Sequence, residues 1–152
     1  MNGRLPELVA VRYYVDADTL GLARILARLR ADVTYPGDPG ALVTRRSRPP
    51  CPIASTAVPD EQWIPVVAKA GWAIITRDKR ILRRPGEIAA VIAHQAKVFA
   101  ITSDEKLDNW HQLEIVMSQW RRIETLSQDD GPYIYSVTRT AVTPLLPPPP
   151  TG

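Results

Sequence analysis

The sequence predicts an α/β domain, a three-layer α/β/α sandwich in which helices cover both faces of a mostly parallel central sheet. Short apolar runs rich in β-branched and aromatic residues alternate along the chain with segments of helical periodicity, the pattern of strands joined by crossover helices. At 152 residues and 45% hydrophobic content, the chain has the size and the apolar material for one domain with its own core. Cys51 is the only cysteine, so packing and not an internal disulfide must hold the fold together.

Residues 1–8 read as an N-terminal arm, residues 9–140 as a single domain, and residues 141–152 as a disordered proline-rich tail. Val9 to Val15 is short and apolar and suits a buried strand, and Thr19 to Arg30 places Leu22, Ile25, Leu26 and Leu29 at helical spacing. Asp32 to Tyr35 suits a second strand, closed by the turn residues Pro36 to Gly40. The stretch from there to Pro59 lacks periodicity and carries Arg45, Arg46 and Arg48, so residues 36–59 are expected to form a long proline- and arginine-containing loop. Asp60 to Ala70 follows as a helix stopped by Gly71. Pro65 implies that its regular part starts late or that its first turn is distorted. Trp72 to Thr76 reads as a strand, Pro85 to Ala96 as a helix and Lys97 to Thr102 as a strand. From Lys106 to Leu126 the apolar positions Leu107, Trp110, Leu113, Met117, Trp120, Ile123 and Leu126 step by three or four and predict a long helix with that stripe inward. Tyr133 to Thr138 is the last expected strand, an exposed edge through which two copies could pair.

The formal charge is +3, with arginines grouped at 45–48, 77–84 and 121–122, a distribution compatible with phosphate binding. One cysteine excludes a thiolate zinc cluster and a CxxC redox pair and suits a reducing cytoplasm. No window approaches a membrane span, and Met1 to Ala10 lacks the apolar stretch of a signal peptide.

In an open parallel sheet, ligands bind outside the carboxyl ends of the strands, where the following helices also begin. Asp16, Asp18, Asp38, Asp60, Glu61, Asp78, Asp104 and Glu105 are all expected at that edge. Gathered carboxylates repel one another, and a hard divalent cation such as Mg²⁺ or Mn²⁺ relieves the repulsion. Several of these acids have ordinary alternatives. Asp18 and Asp60 are good helix caps, Glu61 suits a first helical turn, Asp38 lies among turn residues, and Asp104 is another expected cap. Asp16 and Asp78 each end an apolar strand with no evident local task.

Two segments, Tyr13-Tyr14-Val15-Asp16-Ala17-Asp18 and Asp60-Glu61-Gln62-Trp63-Ile64 through Gly71 to Ile74-Ile75-Thr76-Arg77-Asp78, resemble the PIN-like superfamily, which includes the VapC-type toxins of toxin–antitoxin pairs. The likeness runs from about Val11 to Thr102. It implies a PIN-like fold, a metal-dependent endoribonuclease using Mg²⁺ or Mn²⁺, an RNA substrate and a small antitoxin partner. By position it assigns the first-strand acid to Asp16, the helix acid to Glu61 or Asp60, the terminal acid to Asp78 and a supporting threonine to Thr76. The standard toxins carry one more acid on a helix in the stretch that is here the proline-arginine loop, and Asp18 and Asp38 are the candidates to replace it. Arg77, Arg80, Arg45, Arg46 and Arg48 are then the candidate phosphate contacts. Solvated surface is the alternative for the loop arginines, core packing for Trp63 and Trp72, and ordinary surface or core roles for His94 and His111.

Two other functions compete. Asp16-Ala17-Asp18-Thr19 also resembles the DxDxT opening of haloacid-dehalogenase-type phosphatases, with Asp16 as nucleophile and Asp18 as acid/base. A PIN-like fold that binds RNA or protein without cutting is the non-enzymatic reading.

Overall fold

The computed structural model describes residues 5–78, 83–103 and 107–147. Six strands form the main sheet in the order β3-β2-β6-β7-β8-β9. They are β2 (Tyr13–Val15), β3 (Val33–Thr34), β6 (Ala73–Thr76), β7 (Lys97–Ile101), β8 (Tyr133–Val137) and β9 (Val142–Leu146). All neighbours pair in parallel except β8 and β9. The connections are α1 (Leu20–Leu29), α2 (Asp60–Lys69), α3 (Pro85–His94) and α4 (Asn109–Leu126). The α/β architecture expected from the alternating pattern is the one observed.

The strands are apolar on both faces because helices cover both. Tyr13, Val15, Ile75, Phe99 and Ile101 pack with Leu22 and Leu26 of α1 and Ile115, Val116 and Ile123 of α4. Tyr14, Ile74, Val98, Ala100 and Ile134 turn to the other side, against Trp63, Ile64 and Val67 of α2 and Val91 of α3. Successive strand residues point to opposite faces, which produces two cores from strands of three to five residues.

Four expectations about the chain's organisation are corrected. The segment 36–59 is not a featureless loop: β4 (Ala41–Val43) and β5 (Arg46–Arg48) form an antiparallel hairpin inside it. Part of the N-terminal arm, β1 (Glu7–Leu8), pairs in parallel with β5, completing a three-stranded sheet. The hairpin is anchored by a buried ion pair, Arg48 Nε to Asp38 Oδ2 at 2.7 Å, with side chains 3% and 1% exposed. This gives a segment without apolar periodicity a polar reason to fold. At the other end, β9 lies within the expected tail, so β8 is interior and offers no free edge. Val142 is buried against the first core, which ties that strand down.

The long helix is present but rotated. Its buried residues are Gln112, Ile115, Val116 and Ile123, while Trp110 and Met117 are 70% and 62% exposed. The three-to-four stepping of large residues ran along two faces at once, and the face with the β-branched pair Ile115-Val116 meets the sheet. α2, in turn, is continuous through Pro65. The missing N–H removes a single bond, to the carbonyl of solvent-exposed Glu61 in the first turn. No helix among the described residues is long and apolar enough to cross a membrane.

Candidate active site

Parallel pairing of β2 with β6 sets Val15 beside Ile75, and the Asp16 N–H donates to the Ile75 carbonyl at 2.9 Å. The residues after both strands are therefore neighbours. After β2 the chain makes a 3-10 turn, Ala17–Thr19, with Asp16 at its start accepting from the Ala17 N–H at 2.6 Å. That bond gives Asp16 a local task the sequence did not suggest, and it fixes the carboxylate at the edge. The turn lifts Asp18 back over β6, where its Oδ2 accepts the Thr76 hydroxyl at 2.6 Å and its carboxylate accepts the Arg77 N–H at 3.2 Å. Asp18 is thus no cap of α1: the N-cap position is Thr19. Thr76 Oγ1 also lies 3.4 Å from Asp16 Oδ2, so one hydroxyl stands between two carboxylates and its single proton goes to the nearer one.

A cleft of about 350 Å³ opens at this edge on the α2/α3 side of the sheet. Asp16, Asp18, Asp60, Asp78 and Glu87 line it, with Arg77 and Arg84 the lining cations among the described residues. Asp60, the first residue of α2, accepts from the Trp63 indole N–H at 2.9 Å. Asp78 Oδ2 pairs with Arg84 Nε at 3.1 Å. Trp63 and Ile64 form the apolar floor, and Trp63 stacks at a tilt on Tyr14, centroids 4.8 Å apart, so this tryptophan is core as well as cleft wall.

The electrostatics follow from crowding. Burial, then the charge of Asp18, push the Asp16 carboxyl up to about 7. Asp18 is raised too, chiefly by burial, against the pull of its bonds from Thr76 and Arg77. Glu87 is pushed up to about 7 by burial and by its hydrogen bond to Asp60. Burial first, and then the neighbouring carboxyl groups, make Asp16 and Glu87 hold their protons up to near neutral pH.

The expected site residues separate clearly. Asp16, Asp60, Asp78, Asp18 and Thr76 come together. Glu61 does not: consecutive helical residues point about 100° apart, Asp60 takes the inward direction, and Glu61 is exposed and outside the cleft lining. Arg77 lines the cleft, its Nη1 donating to the Leu107 carbonyl at 3.0 Å. Arg48 is withdrawn into its ion pair with Asp38 and into bonds to the Ala27 and Arg30 carbonyls, so it is structural and unavailable to a nucleic acid. Asp38 is thereby a structural acid and no substitute for the acid missing from the loop. Arg45 and Arg46 are exposed on the hairpin, away from the cleft lining. Arg80, Asp104 and Glu105 lie outside the described residues. Glu87 was missed. Only its place in the first turn of a helix opened by Pro85 signalled it, and that place has the dipole as a sufficient reason.

Among the described residues, no three His, Cys, Asp or Glu side chains are grouped as metal ligands stand. The donor chemistry nevertheless fits a hard divalent cation: every acid offers carboxylate oxygens, and Asp16 bears the charge of Asp18 beside it. The carboxylates are turned instead to protein partners, Asp60 to Trp63, Asp18 to Thr76 and Asp78 to Arg84.

The fold and its edge define an α/β domain with an acid-lined cleft at the carboxyl ends of adjacent parallel strands. A family model described as a PIN-like domain matches residues 12–103, and the chain belongs to that family. The match covers every cleft residue named above and stops before α4. No curated protein and no solved structure gives a significant match.

Proposed function

We propose that the chain is a metal-dependent endoribonuclease that hydrolyses RNA phosphodiesters in the Asp16–Asp78 cleft. The observation that carries this reading is the convergence of strand-end acids: Asp16 and Asp78, 62 positions apart in the sequence, line one cleft with Asp18, Asp60 and Glu87. PIN-like domains are commonly nuclease modules, which agrees with that cleft.

Asp16, Asp78 and Asp60 would hold Mg²⁺ or Mn²⁺, with Glu87 taking the place the sequence offered to Glu61. When bound, such an ion supplies Lewis acidity and a water of lowered pKa. The protein's own groups do the rest. Thr76 donates its hydroxyl hydrogen bond to Asp18 and holds that carboxylate beside Asp16. Arg84 neutralises Asp78 until a stronger cation competes for it. Arg77, which lines the cleft and donates through Nη1 to the Leu107 carbonyl, brings a guanidinium to the edge where a phosphate would sit. The wall of Trp63, Ile64, Val91 and Val98 excludes water from one side, which strengthens each of these interactions.

The test is cleavage of single-stranded RNA with Mn²⁺ and with EDTA, by wild type, Asp16→Asn and Asp78→Asn. Cleavage confined to wild type with Mn²⁺ is expected. Equal behaviour of the three proteins removes the nuclease reading and leaves a binding module, a reading favoured by the absence of a ready-made three-ligand group among the described residues. The phosphatase reading has Asp16 and Asp18 in one cleft in its favour, but no lysine lines that cleft among the described residues. A toxin role adds a small antitoxin whose charged tail enters the cleft. Co-purification with the product of a neighbouring short reading frame tests it.

A further inference from the structure

A second cleft, sharing no residue with the acidic one, separates α1 from the β4–β5 hairpin and encloses about 540 Å³. The space exists because Ala27, Gly40 and Ala41 line it with little side chain. Gly40 has φ +86, and a Cβ there would come 2.5 Å from the Arg48 carbonyl oxygen, so the turn beside the cleft accepts no larger residue. Arg24 and Arg28 project from α1 into this space. They are four residues apart, about 5–6 Å between Cβ atoms on a helix surface, both exposed, and neither has a hydrogen bond or ion pair among the described residues. Asp38 also lines the cleft but is used up by Arg48, with which it is buried. The lining therefore carries two positive charges in excess, on Arg24 and Arg28 one helical turn apart.

We propose that this cleft is a phosphate-binding site that holds the backbone of single-stranded RNA outside the acid-lined cleft, with Arg24 and Arg28 as the contacts. The choice of RNA rests on the endoribonuclease reading: a strand that is cut internally continues beyond the cut and needs a further hold. α1 begins two residues after Asp18, on the opposite face of the sheet from the acid-lined cleft, and at 1.5 Å per residue Arg24 and Arg28 stand about 9 and 15 Å along the chain from that acid, the length of a few nucleotides. Guanidinium forks match phosphate oxygens and add affinity without sequence preference.

The test is equilibrium binding of a short, end-labelled single-stranded RNA in EDTA, where no cutting occurs, at about 50 and 200 mM salt. Wild type is compared with Arg24→Ala/Arg28→Ala and with Arg24→Lys/Arg28→Lys. Both side chains are exposed, so the variants fold, which circular dichroism checks. The alanine pair is expected to bind roughly tenfold more weakly, with a log–log salt slope shallower by about 1.4 for two lost phosphate contacts; the lysine pair regains most of the affinity. Equal affinity and slope for wild type and the alanine pair overturn the proposal. So does displacement of RNA by a polyglutamate of matched length as readily as by unlabelled RNA, which makes the occupant an acidic peptide. Displacement by millimolar inorganic phosphate with no dependence on RNA length overturns the backbone assignment in favour of a free anion. A binding loss in the alanine pair, combined with no cleavage by wild type under Mn²⁺, keeps this site and refutes the nuclease reading alone.

Discussion

Replacing Asp16 by asparagine should stabilise the metal-free protein above neutral pH. Its carboxyl is lifted from 3.8 to about 7 by burial and the Asp18 charge. Since each tenfold change in proton affinity is worth about 1.4 kcal/mol, the ionised form costs the folded state on the order of 4 kcal/mol. The cleft is open to solvent on one side and screening removes part of this, so about 2 kcal/mol is the working figure. The sign follows from the two states. Between about pH 4 and pH 7 the folded protein keeps a proton that the unfolded chain has released. Wild-type stability therefore falls as pH rises through that window and is flat above it. Asparagine does not titrate, and its geometry is accommodated: Oδ1 still accepts from Ala17, while Nδ2 can donate to Thr76 Oγ1, whose own proton is committed to Asp18. Thermal melts in EDTA should show Asp16→Asn melting roughly 4–8 °C above wild type at pH 8, with most of the gap gone at pH 4. A variant no more stable than wild type at pH 8, or a gap independent of pH, would refute the claim that Asp16 is electrostatically strained.

Glu87→Gln should raise the Mn²⁺ concentration for half-maximal RNA cleavage roughly tenfold, because Glu87 shares a hydrogen bond with Asp60 at the cleft wall; an unchanged requirement, read from a Mn²⁺ titration, removes Glu87 from the site. Arg48→Ala should destabilise the fold by roughly 3–5 kcal/mol, measured by urea denaturation, because it leaves the buried Asp38 carboxylate, among the described residues, with the Thr34 hydroxyl and the Gly40 N–H but no cation.

Much of the fold was legible because it depends on local rules. Tyr13-Tyr14-Val15 and Ala73-Ile74-Ile75 are hydrophobic at every position, the pattern of a strand buried on both faces. The hairpin at 41–48 was not legible, because what anchors it is a buried ion pair between residues ten apart, and no periodicity announces such a pair. α4 was found but misphased. Large residues occupy both its buried and exposed faces, and a helix-periodic count cannot tell which face meets the sheet until the sheet's own position is known.

The site shows the same division one level higher. Asp16 and Asp78 were identifiable because each follows a strand, and adjacent parallel strands end at the same edge by construction. The choice between Asp60 and Glu61 was not, since it turns on a rotation of about 100° that is decided when Trp63 packs on Tyr14 and turns its indole N–H to Asp60. Asp18 was read both as a helix cap and as a replacement acid, and Glu87 was not singled out at all, because a place in a first helical turn is a sufficient local reason that hides a second role. Asp18 belongs to the cleft because the 3-10 turn after Asp16 carries it across β6 to Thr76. Had α1 begun directly after β2, the same aspartate would have capped it. The geometry of one short turn therefore decides whether this acid serves the helix or the cleft.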